Sequence, residues 1–133
     1  MSLEVEIKHI QDKKFVARSL ESGAEIRIDS YRQGRLPEGL NSSELLLASV
    51  GGCIMYYAHT YLSRMNIAFS RLEVKVSGEW QKRPLMIKDI KVGIITDASL
   101  SKRRESFLRF VHNCPVHNTV INTQEIEIGL KDE

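Results

Sequence analysis

One segment constrains the fold of this chain more than any other. Residues 41–67, NSSELLLASVGGCIMYYAHTYLSRMNI, predict a single long helix. Asn41 or Ser42 can cap its start, and Asn41 and Glu44 have the spacing of a capping box. The middle of the helix is apolar on every face, which is typical of a central, buried helix. Because a chain this small cannot cover such a helix with one sheet, we expect a partner subunit to cover the rest.

The remainder of the chain reads mainly as short strands. Alternating or apolar segments predict strands at residues 3–10, 13–19, 24–30, 71–82, 85–96 and 125–130. Residues 99–113 predict an amphipathic helix, and residues 114–122 an irregular segment or a short helical turn. Since strands and helices do not alternate strictly, the order favours an α+β fold. At 133 residues, we expect a single domain over residues 1–133.

Charge and hydropathy exclude several classes of function. The formal net charge is only +2, and no basic run is interleaved with aromatic residues, so we expect no nucleic-acid partner. The apolar run over residues 45–58 is shorter than the roughly 20 residues that span a bilayer. The start of the chain is charged and lacks the pattern of a secretory signal. With two cysteines far apart, this predicts a cytoplasmic protein whose thiols are reduced at rest.

Cys53 lies in the helix directly after two glycines, Gly51 and Gly52. Two glycines cost a helix about 2 kcal/mol relative to two alanines, so their presence requires a reason. They remove side chains beside the sulfur, which lets a ligand or another backbone approach. The sequence leaves two interpretations open: a reactive thiol, or a buried cysteine in a tightly packed helix.

Cys114 lies in the segment VHNCPVHNT, directly before a proline that suits the first position of a helical turn. We therefore expect Cys114 at a helix N-terminus, where main-chain N–H groups favour a thiolate. His112 and His117 lie close by and would add positive charge. Alternatively, Cys114 serves only to pack the turn that the proline initiates. A zinc site made by these two histidines with Cys53 and Cys114 is a further alternative, although the spacing is not that of a common zinc motif.

SSELLLASVGGCIMYY, followed about sixty residues later by HNCPVHNTV, resembles the OsmC/Ohr family of osmotically inducible and organic hydroperoxide resistance proteins. ELLLASVGGC is most similar to the OsmC-like branch of that family. The resemblance extends over nearly the whole chain. It implies an intertwined homodimer in which two long helices pack centrally and β-sheets wrap around them.

The resemblance also implies thiol-dependent reduction of organic hydroperoxides, as part of a stress response. Cys53 would attack the peroxide and become a sulfenic acid, and Cys114 would condense with it to form a disulfide. A dithiol reductant, such as a lipoylated protein, would restore both thiols. The resemblance implies no cofactor and no metal.

Active members of this family resemble one another in a glutamate ten residues before the first cysteine, paired with an arginine of the N-terminal hairpin. Here Ser43 holds that position and Glu44 follows it, about half a turn out of phase with Cys53, so a helix cap is the expected role of Glu44. The candidates for lining the pocket or tuning the thiol are Arg18, Arg27, Glu44, Tyr56, Tyr57 and His117. The alternative functions are binding of a small hydrophobic ligand and redox sensing without sustained turnover.

Overall fold

The computed structural model describes residues 2–30, 34–122 and 124–131 and has an α+β architecture. The elements in chain order are β1 (Val5–Gln11), β2 (Lys14–Ser19), β3 (Glu25–Asp29), α1 (Ser42–Arg64), β4 (Leu72–Gln81), β5 (Met86–Thr96), a 3₁₀ turn (Ser101–Arg103), α2 (Arg104–Val111) and α3 (Pro115–Ile121). They divide into two compact units. Unit 1 comprises residues 1–49 and 76–91, and unit 2 comprises residues 50–75 and 92–133.

Unit 1 contains an antiparallel sheet in the order β1-β2-β3, as the alternating sequence predicts. Ile7 lies opposite Ala17 in the register, and Ala17 lies opposite Ile26. Side chains opposite one another share a face, so apolar residues collect on one side of the sheet. The turn from β2 to β3 places Gly23 at φ +78°, a conformation that glycine adopts without steric cost.

A buried carboxylate holds the loop that leads into α1. The side chain of Asp29 has no exposed surface and accepts hydrogen bonds from Arg35 Nη1 and Nη2, at 2.7 and 3.1 Å. It also accepts one from the main-chain N–H of Glu38, at 2.9 Å. Glu38 in turn pairs with the buried Lys14, which lowers the pKa of the Glu38 carboxyl by hydrogen bonding and by its charge. Arg35 and Glu38 are thereby tied to the sheet before the helix begins.

Helix α1 starts with the capping box that the sequence predicts. Asn41 Oδ1 accepts from the N–H of Glu44 at 2.8 Å, and a Glu44 carboxylate oxygen accepts from the N–H of Asn41 at 3.0 Å. By length and composition α1 is apolar enough to cross a bilayer, as core helices of soluble proteins also are. It is the core helix of this fold, since Ala58 and Leu62 have no exposed surface.

The core of unit 2 forms where α1, α2 and α3 supply their buried side chains. The members of this cluster are Ile54, Ala58, Tyr61, Leu62, Phe107, Val111 and Cys114. Apolar residues of β4 and β5, including Leu72 and Val92, pack against it. The opposite side of α1 is open, since Gly52 and Tyr56 are exposed.

Two predicted elements differ from the structure. Residues 125–130 form no strand within the described chain, and Ile126 and Ile128 are 84% and 93% exposed, so the closing strand is a wrong prediction. The segment has the alternating sequence of a strand, but a strand also needs a hydrogen-bonded neighbour. The helix predicted over residues 99–113 is shorter: a 3₁₀ turn precedes α2.

Candidate functional site

Cys53 lies in the part of α1 that belongs to unit 2, one residue after Gly52. The cysteine is partly buried and packs against the core cluster of that unit. Gly51 is buried, whereas Gly52 is exposed. A Cβ built at Gly52 would meet no described heavy atom within 4 Å, so the helix surface beside Cys53 is open.

Cys114 is fully enclosed in the core of unit 2 and is the N-cap residue of α3. Pro115 follows as the first helical residue, where a missing N–H costs nothing. The Cys114 sulfur accepts a hydrogen bond from the main-chain N–H of His117 at 3.3 Å. This is the helix N-terminus that the sequence predicts. A donor aimed at the sulfur stabilises the thiolate form over the thiol.

Cys53 and Cys114 are joined by a disulfide bond. Their Cα atoms are 5.9 Å apart, inside the range of about 4.4–6.8 Å that disulfides require. Sixty-one residues separate the two cysteines in sequence, and unit 2 brings them together. One sulfur of the pair belongs to a partly exposed residue and the other to a fully buried one. The pair is therefore chemically asymmetric.

Aromatic side chains surround the disulfide region in unit 2. Tyr57 packs against Phe110, with ring centroids 5.6 Å apart. Tyr61 packs against Phe107 and Phe110, at 5.4 and 5.7 Å, and its hydroxyl meets the Ser106 hydroxyl at 2.5 Å. Sequence reasoning missed Tyr61 and Phe110, although the spacing of four residues between Tyr57 and Tyr61 places both on one helix face.

Tyr56 lies on a different part of α1 and is 67% exposed. Its ring contacts that of Tyr57 edge-on, with centroids 5.4 Å apart. Of the two tyrosines that the sequence proposes, Tyr57 therefore packs against the core cluster and Tyr56 is exposed.

His112 and His117 stack edge-on in unit 2, with ring centroids 5.5 Å apart. Nδ1 of His112 lies 2.6 Å from the Leu108 carbonyl oxygen. Because a carbonyl only accepts hydrogen bonds, this ring nitrogen carries a proton. Nδ1 of His117 is buried and has no hydrogen-bond partner among the described residues.

Three predicted site residues belong to unit 1. The Glu44 carboxylate is engaged in the capping box, which is the role expected from its spacing. Arg18 on β2 lies opposite Glu6 and Glu25 in the strand register, and its side chain is exposed. Arg27 on β3 is also exposed, and its main-chain carbonyl packs so closely on Gly39 that a Cβ would not fit there.

Each unit also carries an open groove. The groove of unit 2 encloses about 540 Å³ between β5 and α2, with Val92, Leu100, Arg104 and Phe107 in its walls. That of unit 1 encloses about 290 Å³, and Glu44 and Trp80 line it. Within the described ranges, no group of three or more His, Cys, Asp and Glu side chains is arranged to hold a metal ion.

The chain is thus an α+β protein whose disulfide joins a long core helix to a helix N-cap. The sequence matches the family model of the OsmC-like proteins over residues 34–129. The chain belongs to the OsmC-like protein family. No functionally curated protein matches the sequence.

Solved structures share the fold at low sequence identity. An OsmC-like protein from Mycoplasma pneumoniae is 20% identical with a TM-score of 0.75, covering 90% of this chain and 87% of its own. A hypothetical protein from Aquifex aeolicus VF5 is 22% identical with a TM-score of 0.73, covering 90% and 87%. The organic hydroperoxide resistance protein OhrB of Bacillus subtilis is 16% identical with a TM-score of 0.57, covering 91% of each chain. At these identities the likeness establishes the fold.

Proposed function

We propose that this protein is a thiol-dependent peroxidase that reduces organic hydroperoxides, acting in the cytoplasm as part of a stress response. The observation that carries the proposal is the disulfide between the partly exposed Cys53 and the enclosed Cys114. Two-cysteine peroxidases need this asymmetry, because one sulfur must be accessible to the peroxide. The other reacts only with the sulfenic acid that forms on the first. The hydroperoxide resistance protein of Bacillus subtilis, which shares the fold, adds support.

The first step takes place at Cys53. Its thiolate attacks one oxygen of the hydroperoxide, so that an S–O bond forms and the O–O bond breaks. The alkoxide takes up a proton and leaves as the alcohol, and Cys53 becomes a sulfenic acid. Because Cys53 is only partly buried, its sulfur is the one of the pair that a substrate can approach.

In the second step the Cys114 sulfur attacks the Cys53 sulfenic acid. An S–S bond forms, the S–O bond breaks, and hydroxide leaves as water after taking up the thiol proton. A dithiol of the lipoyl class then opens the disulfide and is itself oxidised to a cyclic disulfide. Overall, one hydroperoxide and one dithiol give an alcohol, water and one disulfide, without a metal or a cofactor.

We also propose that the working form is a homodimer. Val5, Ile7 and Ile26 lie on one face of the unit 1 sheet and are 61%, 54% and 48% exposed. Tyr56 is exposed on the core helix. Large apolar side chains exposed together are typical of a surface that a partner covers. Light scattering over a range of protein concentrations measures the mass directly, and a monomer throughout would contradict this part of the proposal.

Titration of the reduced protein with cumene hydroperoxide tests the peroxidase. Free thiols and intact mass are followed in wild type, Cys53→Ser and Cys114→Ser. We expect wild type to lose two thiols and two mass units per chain, Cys114→Ser to gain a sulfenic acid, and Cys53→Ser not to react. Since the chain has two cysteines, each variant is the control for the other.

The outcome separates the alternatives. If both thiols outlast an excess of peroxide, the peroxidase proposal is wrong, and the grooves of the two units become candidates for binding a small hydrophobic ligand. If the disulfide forms but dithiothreitol and dihydrolipoamide support no repeated turnover, the protein is a redox sensor.

A further inference from the structure

We propose that His117 carries the proton of the Cys114 sulfur when the Cys53–Cys114 disulfide opens and closes. The inference extends the proposed two-cysteine cycle, but it depends only on the disulfide and not on reaction with a peroxide. Three observations support it: the burial of Cys114, the contact of its sulfur with residue 117, and the buried Nδ1 of His117.

The burial of the two cysteines decides which sulfur leaves when a reductant attacks. A thiolate from outside must reach the sulfur that it attacks, and Cys114 has no exposed surface. The attack therefore falls on Cys53, which is partly exposed. A new S–S bond forms between the reductant and Cys53, the old S–S bond breaks, and Cys114 leaves with the electron pair as a thiolate.

A thiolate released inside a core needs a compensating charge or a proton, because burial disfavours a charge without a partner. One donor is already in place, since the main-chain N–H of His117 lies 3.3 Å from the Cys114 sulfur. The hydrogen bond fixes residue 117 against this sulfur. The same residue carries a titratable ring whose Nδ1 is also buried.

In the oxidised state Nδ1 of His117 has no hydrogen-bond partner among the described residues. A buried polar atom without a hydrogen bond costs about 1–3 kcal/mol, so such an atom calls for an explanation. In the disulfide the Cys114 sulfur carries no proton. On reduction it becomes a thiolate or a thiol, and only then can a proton be shared between this sulfur and Nδ1.

The proton balance is complete in both directions. On opening, the imidazolium of His117, formed by taking up a proton from the solvent, gives that proton to the Cys114 thiolate and becomes neutral. On closing, neutral His117 takes the thiol proton as Cys114 attacks, and the proton passes on to the departing hydroxide. The titratable or charged groups nearby are Cys53 from α1, bonded to Cys114, and His112, just after α2, whose ring contacts His117. Arg64 from α1 lies over the Phe110 ring.

The test starts from the oxidised protein and needs no peroxide. Dithiothreitol in excess opens the disulfide, and the released thiols are counted by alkylation and intact mass from about pH 6 to pH 9. The rate is divided by the concentration of dithiothreitol thiolate, so that only the protein's own pH dependence remains. Wild type is compared with His117→Asn, which keeps a polar group near the position of Nδ1 but cannot titrate. His59→Asn removes an exposed histidine of the same unit as a control.

For wild type and His59→Asn we expect a corrected rate that falls as the pH rises, because the protonated imidazole is lost. For His117→Asn we expect a flat profile, at least about ten-fold slower at pH 6 and within about two-fold of wild type at pH 9, since general acids contribute about 10²–10⁴-fold. A His117→Asn profile that parallels wild type would overturn the inference. If the peroxide titration fails while this profile holds, the peroxidase proposal is wrong and the role of His117 stands.

A measurement on wild type covers the case in which the variant does not fold. Nitrogen-15 NMR of the histidine rings distinguishes protonated from bare ring nitrogens in the oxidised and reduced protein. We expect the Nδ1 resonance of His117 to move on reduction and that of His59 to stay. An unchanged His117 resonance would overturn the inference.

Discussion

Asn41 and Glu44 each bind the main-chain nitrogen of the other at the start of α1, over 2.8 and 3.0 Å. The two hydrogen bonds satisfy two N–H groups, those of Asn41 and Glu44, at the end where a helix has no partner for them. Glu44 therefore has a structural role before any chemical one is considered.

Glu44→Ala is expected to lower the free energy of unfolding by about 1 kcal/mol, because it removes half of the capping box. Glu44→Gln keeps the hydrogen bond and is expected to lose only a few tenths of a kcal/mol. Urea unfolding followed by circular dichroism measures both. Equal losses in the two variants would show that the charge, rather than the cap, is what α1 needs.

Asp29→Asn is expected to destabilise the protein by about 3 kcal/mol, since it leaves Arg35 facing a neutral group at a buried position. Glu4→Gln removes an exposed carboxylate from the same unit and serves as the control, with a change expected within about 0.5 kcal/mol. Both free energies come from chemical unfolding at neutral pH. A loss below about 1 kcal/mol in Asp29→Asn would contradict a structural role for the pair.

Tyr61→Phe removes the hydroxyl that meets Ser106 and keeps the ring against Phe107. The expected loss is about 1 kcal/mol, the typical net contribution of one hydrogen bond. Tyr56→Phe makes the same chemical change at a side chain that is 67% exposed, and its stability should match wild type. Equal stabilities for the two variants would mean that the Tyr61 hydroxyl contributes nothing.

The stability of unit 2 should depend on pH through Asp97. Hydrogen bonds from the Ser70 hydroxyl and from the main-chain N–H groups of Arg71 and Ser70 lower the pKa of Asp97 from 3.8 to about 2. Because the folded pKa is the lower one, the contribution is complete above about pH 4 and is lost as the pH falls through about 2.

Unfolding of wild type and Asp97→Asn in urea at several pH values between about 2 and 5 measures this contribution. The gap between the two proteins should be widest at pH 5 and should close toward pH 2. A constant gap for Asp97→Asn would contradict the expected proton linkage.

Reduction of Cys53–Cys114 is expected to destabilise the protein by as much as about 4 kcal/mol, because the bond closes a loop of about sixty residues in the unfolded chain. Unfolding with and without dithiothreitol measures the difference. Cys53→Ser lacks the bond and should not respond to the reductant. If wild type also fails to respond, the disulfide contributes nothing to stability.

Local rules account for the parts of the fold that the sequence predicts well. A capping box requires only that its two residues lie three positions apart, as Asn41 and Glu44 do. In the hairpin strands, apolar and polar residues alternate with a period of two. The segment over residues 125–130 follows the same period, with Ile126 and Ile128 alternating with glutamates, yet forms no strand in the protomer. The alternation of side chains is a property of a single strand. It does not show whether a neighbouring strand is present to complete the main-chain hydrogen bonds.

The candidate site depends on contacts between distant parts of the chain, which no local pattern reveals. The pairing of Cys53 with Cys114 came from a family resemblance, because sixty-one residues separate them. The network of Asp29 with Arg35 was missed altogether, since Arg35 lies in a loop without periodicity. The helix N-terminus at Cys114 was found because Pro115 marks it locally.

The complete enclosure of Cys114 has a consequence for chemical damage. Excess oxidant can convert a sulfenic acid into sulfinic and sulfonic acids that ordinary thiols do not repair. Because only Cys53 is accessible, such irreversible lesions should accumulate on the α1 peptide, while the peptide that carries Cys114 stays intact. Irreversible damage by excess oxidant would thus be confined to one atom, the Cys53 sulfur.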